Sequence, residues 1–202
     1  MINVQVFDIS GLKEEQIYVS DQNKEEVKKY FFEKDRLRFL SGRALIKKLN
    51  PSPYYKGKNG KPYFKDGPYF NLSYSENKVV LVSCWDFECG IDIEFINQMT
   101  SSFLKNIFSD NELNEINKTN RSLLKLMYWV KKEAVLKTCG VGLISNMKDI
   151  DCIGSVVNFY KKDYYLKQVA IDEYFCFVCT PLQDVILNID TVNMSELFKK
   201  IM

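Results

Sequence analysis

The chain has 202 residues, 46% of them hydrophobic and 27% charged, with a formal net charge of +2. That is enough to bury a full core, and too little charge for a nucleic-acid binder working through a general basic surface, so any anion recognition must be local. Histidine is absent, which removes imidazole bases, histidine-based triads and histidine-ligated zinc and leaves acid–base work to carboxylates, lysines or water.

The first residues lack a basic segment followed by an apolar one, so no signal peptide is expected, and the longest apolar run falls short of a membrane span. The six cysteines lie in hydrophobic contexts. Without a secretion signal they argue against a disulfide framework and for a cytoplasmic protein. Cys176 and Cys179 have the spacing of a redox or metal pair, but the alternation around them reads as a core strand.

Residues 2–9 alternate as a first strand. Ser20 and Asp21 open a helix with Val27, Tyr30 and Phe31 on one side. A second helix spans about residues 34–49, with Leu37, Leu40, Ala44, Leu45 and Leu49 at helical spacing and Pro51 beyond its end. Arg36, Arg38 and Arg43 decorate it. Residues 51–68 hold four of the five prolines and read as loop, and the segment from Lys56 to Pro62 is too irregular for a Walker-type phosphate loop. Strands at 69–73, 78–85 and 90–94, with turns between, predict an antiparallel meander.

The third of these strands contains Gly90-Ile91-Asp92-Ile93-Glu94. Alternation puts both isoleucines on one face and both acids on the other. The pair reads either as a solvated acidic face or as two ligands for a hard divalent cation.

The second half begins near residue 97. Ser109 and Glu112 have the spacing of a capping box and start a short helix. Ahead of it, Phe103, Leu104, Ile107 and Phe108 form an apolar cluster that reads equally as core or as a partner contact. The longest helix spans about residues 122–138, with Gly140 as its terminating residue. Trp129, Glu133 and Lys137 fall on nearly one face of it, which by itself is no more than an exposed Glu–Lys pair beside an aromatic anchor. Strands follow at 155–160, 164–171, 174–179 and 185–189, and a C-terminal helix at 195–201. Helices then antiparallel strands, twice over, predict an α+β fold of two similar lobes.

In order along the chain come Gly60-Lys61-Pro62, Asn71-Leu72-Ser73-Tyr74-Ser75, Gly90-Ile91-Asp92-Ile93-Glu94 and Trp129-x-x-Lys132-Glu133-Ala134-x-x-Lys137. Together, over roughly residues 24–143, they resemble the 4′-phosphopantetheinyl transferases of the larger, surfactin-synthetase-activating type. The resemblance implies two pseudo-symmetric lobes, each an antiparallel sheet packed with helices, with the active site at their interface. The N-terminal lobe would be 1–97 and the C-terminal lobe 98–202. It implies Mg2+-dependent transfer of phosphopantetheine from coenzyme A to a serine of an acyl or peptidyl carrier protein, releasing 3′,5′-ADP. It also implies a monomer with no nucleic-acid or membrane partner.

Carried over by position, Asp92, Glu94 and Glu133 match the metal ligands, and Lys137 the lysine on the coenzyme A diphosphate. Lys61 matches the lysine along the nucleotide, Ser73 a serine on its phosphates, and Arg38 the arginine on the 3′-phosphate. Lys24 and Lys28 are the nearest upstream lysines for that phosphate. Glu133 is the favoured general base, with Glu112 as a further catalytic candidate or a simple cap. Tyr74 stands where the family commonly has a histidine, and a tyrosine brings no cationic charge at neutral pH. That departure leaves a coenzyme A-binding homologue without transferase activity as the alternative, and the same carboxylates leave a metal-dependent phosphodiesterase as a third reading.

Overall fold

The computed structural model describes residues 1–96, 107–119, 122–142 and 147–193. The expected C-terminal helix at 195–201, and Phe103 and Leu104, lie outside the described residues. Strand β1 (Ile2–Asp8) buries Ile2, Val4 and Val6 on one face and Phe7 on the other. Helix α1 (Asp21–Val27) is capped by Ser20, whose Oγ accepts the Asn23 N–H at 3.3 Å. It ends before Phe31, which is 88% exposed rather than on a buried face. Helix α2 (Glu33–Leu49) follows. The proline-rich stretch after it is not all loop, because β2 (Tyr54–Lys56) and β3 (Pro62–Phe64) form a short hairpin across it.

Strands β4 (Tyr69–Ser75) and β5 (Lys78–Cys84) make an antiparallel hairpin turned at Glu76. The expected meander stops there. Strand β6 (Gly90–Phe95) pairs antiparallel with a strand far along the chain, β9 (Tyr174–Thr180). Helices α3 (Asp110–Thr119) and α4 (Ser122–Cys139) come between them, then the hairpin of β7 (Val156–Phe159) and β8 (Lys162–Gln168). Tyr160 and Lys161, both at positive φ, turn that hairpin. The last described strand, β10 (Leu187–Val192), returns to the first sheet and runs parallel to β1. The sheets are thus β10-β1-β5-β4 and β6-β9-β8-β7, and the first is not wholly antiparallel as expected.

Three cores show the layering. Ile2, Val4, Val6, Val80 and Val82 of the first sheet bury against Ile91, Ile93, Cys176 and Val178 of the second. The other face of the first sheet packs on α2 through Phe7, Phe70, Val79 and Leu81. The other face of the second packs on α4 through Phe177 and Cys179. This burial explains why β6 leaves the meander. Ile91 and Ile93, with no exposed surface, need the inter-sheet layer on one side, while the acids on the other side need α4. The fold is α+β, with each sheet backed by one long helix and the sheets joined at a seam. Among the described residues no helix is long and apolar enough to cross a membrane.

Candidate active site

The seam is assembled from β4, β6 and α4. Gly90 sets the distance between the last two. A Cβ there would lie 2.5 Å from the Ala134 carbonyl oxygen and from the Thr138 nitrogen and Oγ1. Only glycine lets β6 lie on the helix backbone. Two residues further along β6, Asp92 meets the turn of α4 that carries Glu133 and Lys137. Lys137 Nζ donates to Asp92 Oδ1 at 2.6 Å and to Ser73 Oγ at 2.9 Å. Ser73 Oγ itself donates to Asp92 Oδ1 at 2.8 Å. On the same side of β6, Glu94 Oε2 accepts from Ser75 Oγ at 2.8 Å.

The acids are under electrostatic load. Burial, then Asp92 and Glu94, push the Glu133 carboxyl up to about 7, against the opposing pull of Lys137. Glu94 is likewise raised, first by burial and then by Asp92, with Lys137 and Arg38 pulling it down. Asp92 Oδ2 and Glu133 Oε1 are buried with no hydrogen-bond partner. Unsatisfied acceptors of this kind are costly in a folded protein and mark a place where a cation or donor belongs. Lys137 supplies part of that charge, and among the described residues no three carboxylates or cysteines converge as a ready metal cage. In donor chemistry the set fits a hard divalent ion, with all-oxygen ligands and two free oxygens.

The basic residues lie along β4. At one end, Lys61 pairs with Glu88 and donates to the Thr138 carbonyl at 2.9 Å, as a cation at a helix C-terminus should. Asn59 Nδ2 donates to the Gly140 carbonyl at 3.0 Å, and Gly140, at φ 67°, ends α4. The Gly-Lys-Pro loop is thereby docked on the end of the site helix. At the other end, Arg38 donates to the Glu76 carbonyl at 2.9 Å and to Asp35 at 2.8 Å. Its guanidinium lies 5.7 Å from the centre of the Tyr74 ring. Gly42 brings α2 down onto β4, since a Cβ there would sit 3.1 Å from Leu72.

Three sequence candidates are placed elsewhere. Lys24 on α1 and Lys28 just past its end are exposed and paired with Asp21 and Glu25, and they line a groove with Arg36 rather than Arg38. Glu112, with no exposed surface, completes the capping box with Ser109, accepts the Cys152 N–H at 2.8 Å and pairs with Lys132 at 2.8 Å. It is a structural anchor, because both of its oxygens are committed to the fold. Phe108 is buried core and Ile107 packs against that core.

Sequence reading gave no role to Asn71, Ser75 or Glu88. For the first two a signal existed, since Asn71, Ser73 and Ser75 form a period-two polar stripe in a strand. All three are buried.

A model of the 4′-phosphopantetheinyl transferase superfamily matches residues 88–179, the span that contains Asp92, Glu94, Glu133 and Lys137. The chain is 31% identical over 172 residues to the 4′-phosphopantetheinyl transferase AcpT of Escherichia coli O157:H7, covering 78% of this chain and 85% of that protein. It is 30% identical over 171 residues to the L-aminoadipate-semialdehyde dehydrogenase-phosphopantetheinyl transferase of Candida glabrata, covering 74% of this chain and 66% of that protein. It is 28% identical over 142 residues to the 4′-phosphopantetheinyl transferase HetI of a Nostoc species, covering 61% of this chain and 60% of that protein. With that identity across most of a relative's length, and the matched acids gathered at one seam, the chain belongs to the 4′-phosphopantetheinyl transferase superfamily.

Proposed function

We propose that this transferase moves 4′-phosphopantetheine from coenzyme A to a serine of an acyl or peptidyl carrier protein and releases 3′,5′-ADP. We read it as the larger, two-lobed type, with lobes 1–97 and 98–202 that exchange β6 and β10. One observation carries the reading. Asp92 pairs with Lys137 at the seam, Glu133 lies within electrostatic reach of Asp92, Glu94 and Lys137, and oxygens of Asp92 and Glu133 are buried without partners.

In this reading Asp92, Glu94 and Glu133 hold Mg2+. When bound, the ion supplies charge neutralisation at the diphosphate and open positions for its oxygens. The serine oxygen forms a bond to the β-phosphorus, and the bond from that phosphorus to the bridging oxygen breaks, leaving with 3′,5′-ADP. Transfer of this kind rests on positioning and charge rather than on covalent chemistry by the enzyme. Glu133 receives the serine proton, directly or through a water. Lys137 faces the charge that builds on the leaving diphosphate. Ser73 orients Lys137 and Asp92 through its hydrogen bonds to both. Lys61 and Arg38, at opposite ends of β4, bind the nucleotide and its 3′-phosphate. Tyr74 stacks with Arg38 and offers a hydroxyl in place of an imidazole.

The test is incubation with coenzyme A, Mg2+ and an apo carrier protein, followed by intact mass and peptide mapping. A phosphopantetheine adduct on serine is expected. Coenzyme A binding with no adduct would support a binding homologue, and phosphate-ester cleavage with no adduct a phosphodiesterase.

A further inference from the structure

Strands β4 and β6 lie edge to edge at the seam, yet they belong to different sheets. Among the described residues strand β6 has only β9 as its ladder partner, so alternate N–H groups along its other edge face β4. Two of them are met by side chains. Asn71 Oδ1 accepts the Ile91 N–H at 3.2 Å, and Ser75 Oγ accepts the Phe95 N–H at 3.0 Å. These two contacts bracket Asp92 and Glu94. Ser75 holds both the backbone and the acid, because the oxygen that accepts from Phe95 donates its own proton to Glu94 Oε2. Asn71 and Ser75 are 6% and 5% exposed, so water does not compete for these bonds.

We propose that Asn71 and Ser75 are positioning residues that fix β6 across the seam, setting Asp92 and Glu94 in register with Glu133 for cation binding. Two sheets sliding on an apolar layer have no intrinsic register, since hydrophobic contact is non-directional. Directional bonds to the β6 edge supply it, and they also blunt an otherwise open strand edge. The role is separate from direct ligation, because neither group touches the reacting atoms. It rests on the cation-site reading given above.

The test is Mn2+ binding to the protein without substrate, followed by electron paramagnetic resonance, in Ser75→Ala, Ser75→Thr, Asn71→Leu and Asp92→Ala. Loss of a supporting hydrogen bond to a ligating carboxylate weakens metal binding by about 10–100-fold, and Ser75→Ala is expected in that range. Ser75→Thr keeps the hydroxyl and is expected to recover affinity to within about threefold of the parent. Asn71→Leu should also weaken binding, while KM for the carrier protein stays unchanged in both variants. Circular dichroism and melting confirm that each variant is folded.

A Ser75→Ala protein that binds Mn2+ like the parent overturns the proposal, as does a loss that threonine does not restore. Should Ser75→Ala fail to fold, the Asn71→Leu measurement decides it in the same way. Asp92→Ala separates the two levels. If it still binds Mn2+, the cation site itself is wrong; if it alone loses binding, only the positioning role has failed.

Discussion

Helix α4 presents a lysine–carboxylate pair on each of two faces, and the pairs could hardly be more different. On one face Lys132 pairs with Glu112 where neither has exposed surface. Lys132 also donates to the Met147 and Ile150 carbonyls, and Glu112 to nothing but accepts from Ser109 and Cys152. On the other face Lys137 pairs with Asp92, and beside it oxygens of Asp92 and Glu133 have no partner. Both are buried acids beside a lysine. Satisfaction separates them, for a closed network fixes the tertiary structure, whereas an open one leaves binding capacity and raised carboxyl pKa values. Residues 132 and 133 are neighbours in sequence and belong to opposite categories.

The sharpest way to break this contrast is to exchange the consequences. Asp92→Ala should lower transfer by about three orders of magnitude while the melting temperature holds, because an open site loses function rather than fold. A folded Asp92→Ala protein with near-parent turnover in the carrier-protein assay removes the active-site reading. Glu112→Ala should do the reverse. It strands a buried ammonium and costs about 3–5 kcal/mol of stability in denaturant melts, with kcat at low temperature close to the parent.

Arg38→Ala tests how far the open site extends along β4. The expected result is a KM increase of about tenfold for coenzyme A and little change for dephospho-coenzyme A, since one charged contact is lost. Equal effects on both substrates would take Arg38 off the 3′-phosphate.

The pH dependence is subtler. Glu133 holds its proton to about pH 7 when folded, against an ordinary value of 4.5. The folded chain therefore binds more protons in that window, so stability in a chelator should fall as pH rises through it and level off above about 7. Melting in EDTA at pH 5 and pH 8 should show a drop of a few degrees, roughly, that Glu133→Gln flattens. The smallest effect belongs to Lys24→Ala and Lys28→Ala. These exposed pairs should leave denaturant melts indistinguishable from the parent, because solvent screens them, with steady-state constants near the parent.

Much of the local structure was legible. The capping box at Ser109, the stop at Gly140 and the span of α2 follow from side chains acting within a turn or two of themselves. The acids of β6 and the Trp129–Glu133–Lys137 face could be named because strand and helix periods assign faces without knowledge of neighbours. The β2–β3 hairpin was hidden by its prolines and glycines, which punctuate turns and short edge strands alike.

By itself, then, the sequence determined which residues share a face, where helices begin and end, and which acids and lysines were candidates for chemistry. Only the tertiary structure decided that β6 deserts the meander for β9, that β10 returns to run parallel to β1, and that both oxygens of Glu112 are held by Ser109, Cys152 and Lys132. It alone showed the stripe of Asn71, Ser73 and Ser75 reaching across the seam. The reason is range. Propensity and periodicity act over a few residues, whereas strand partnership and the satisfaction of a buried charge depend on groups far apart in the chain, whose meeting is set by which apolar faces must bury against each other.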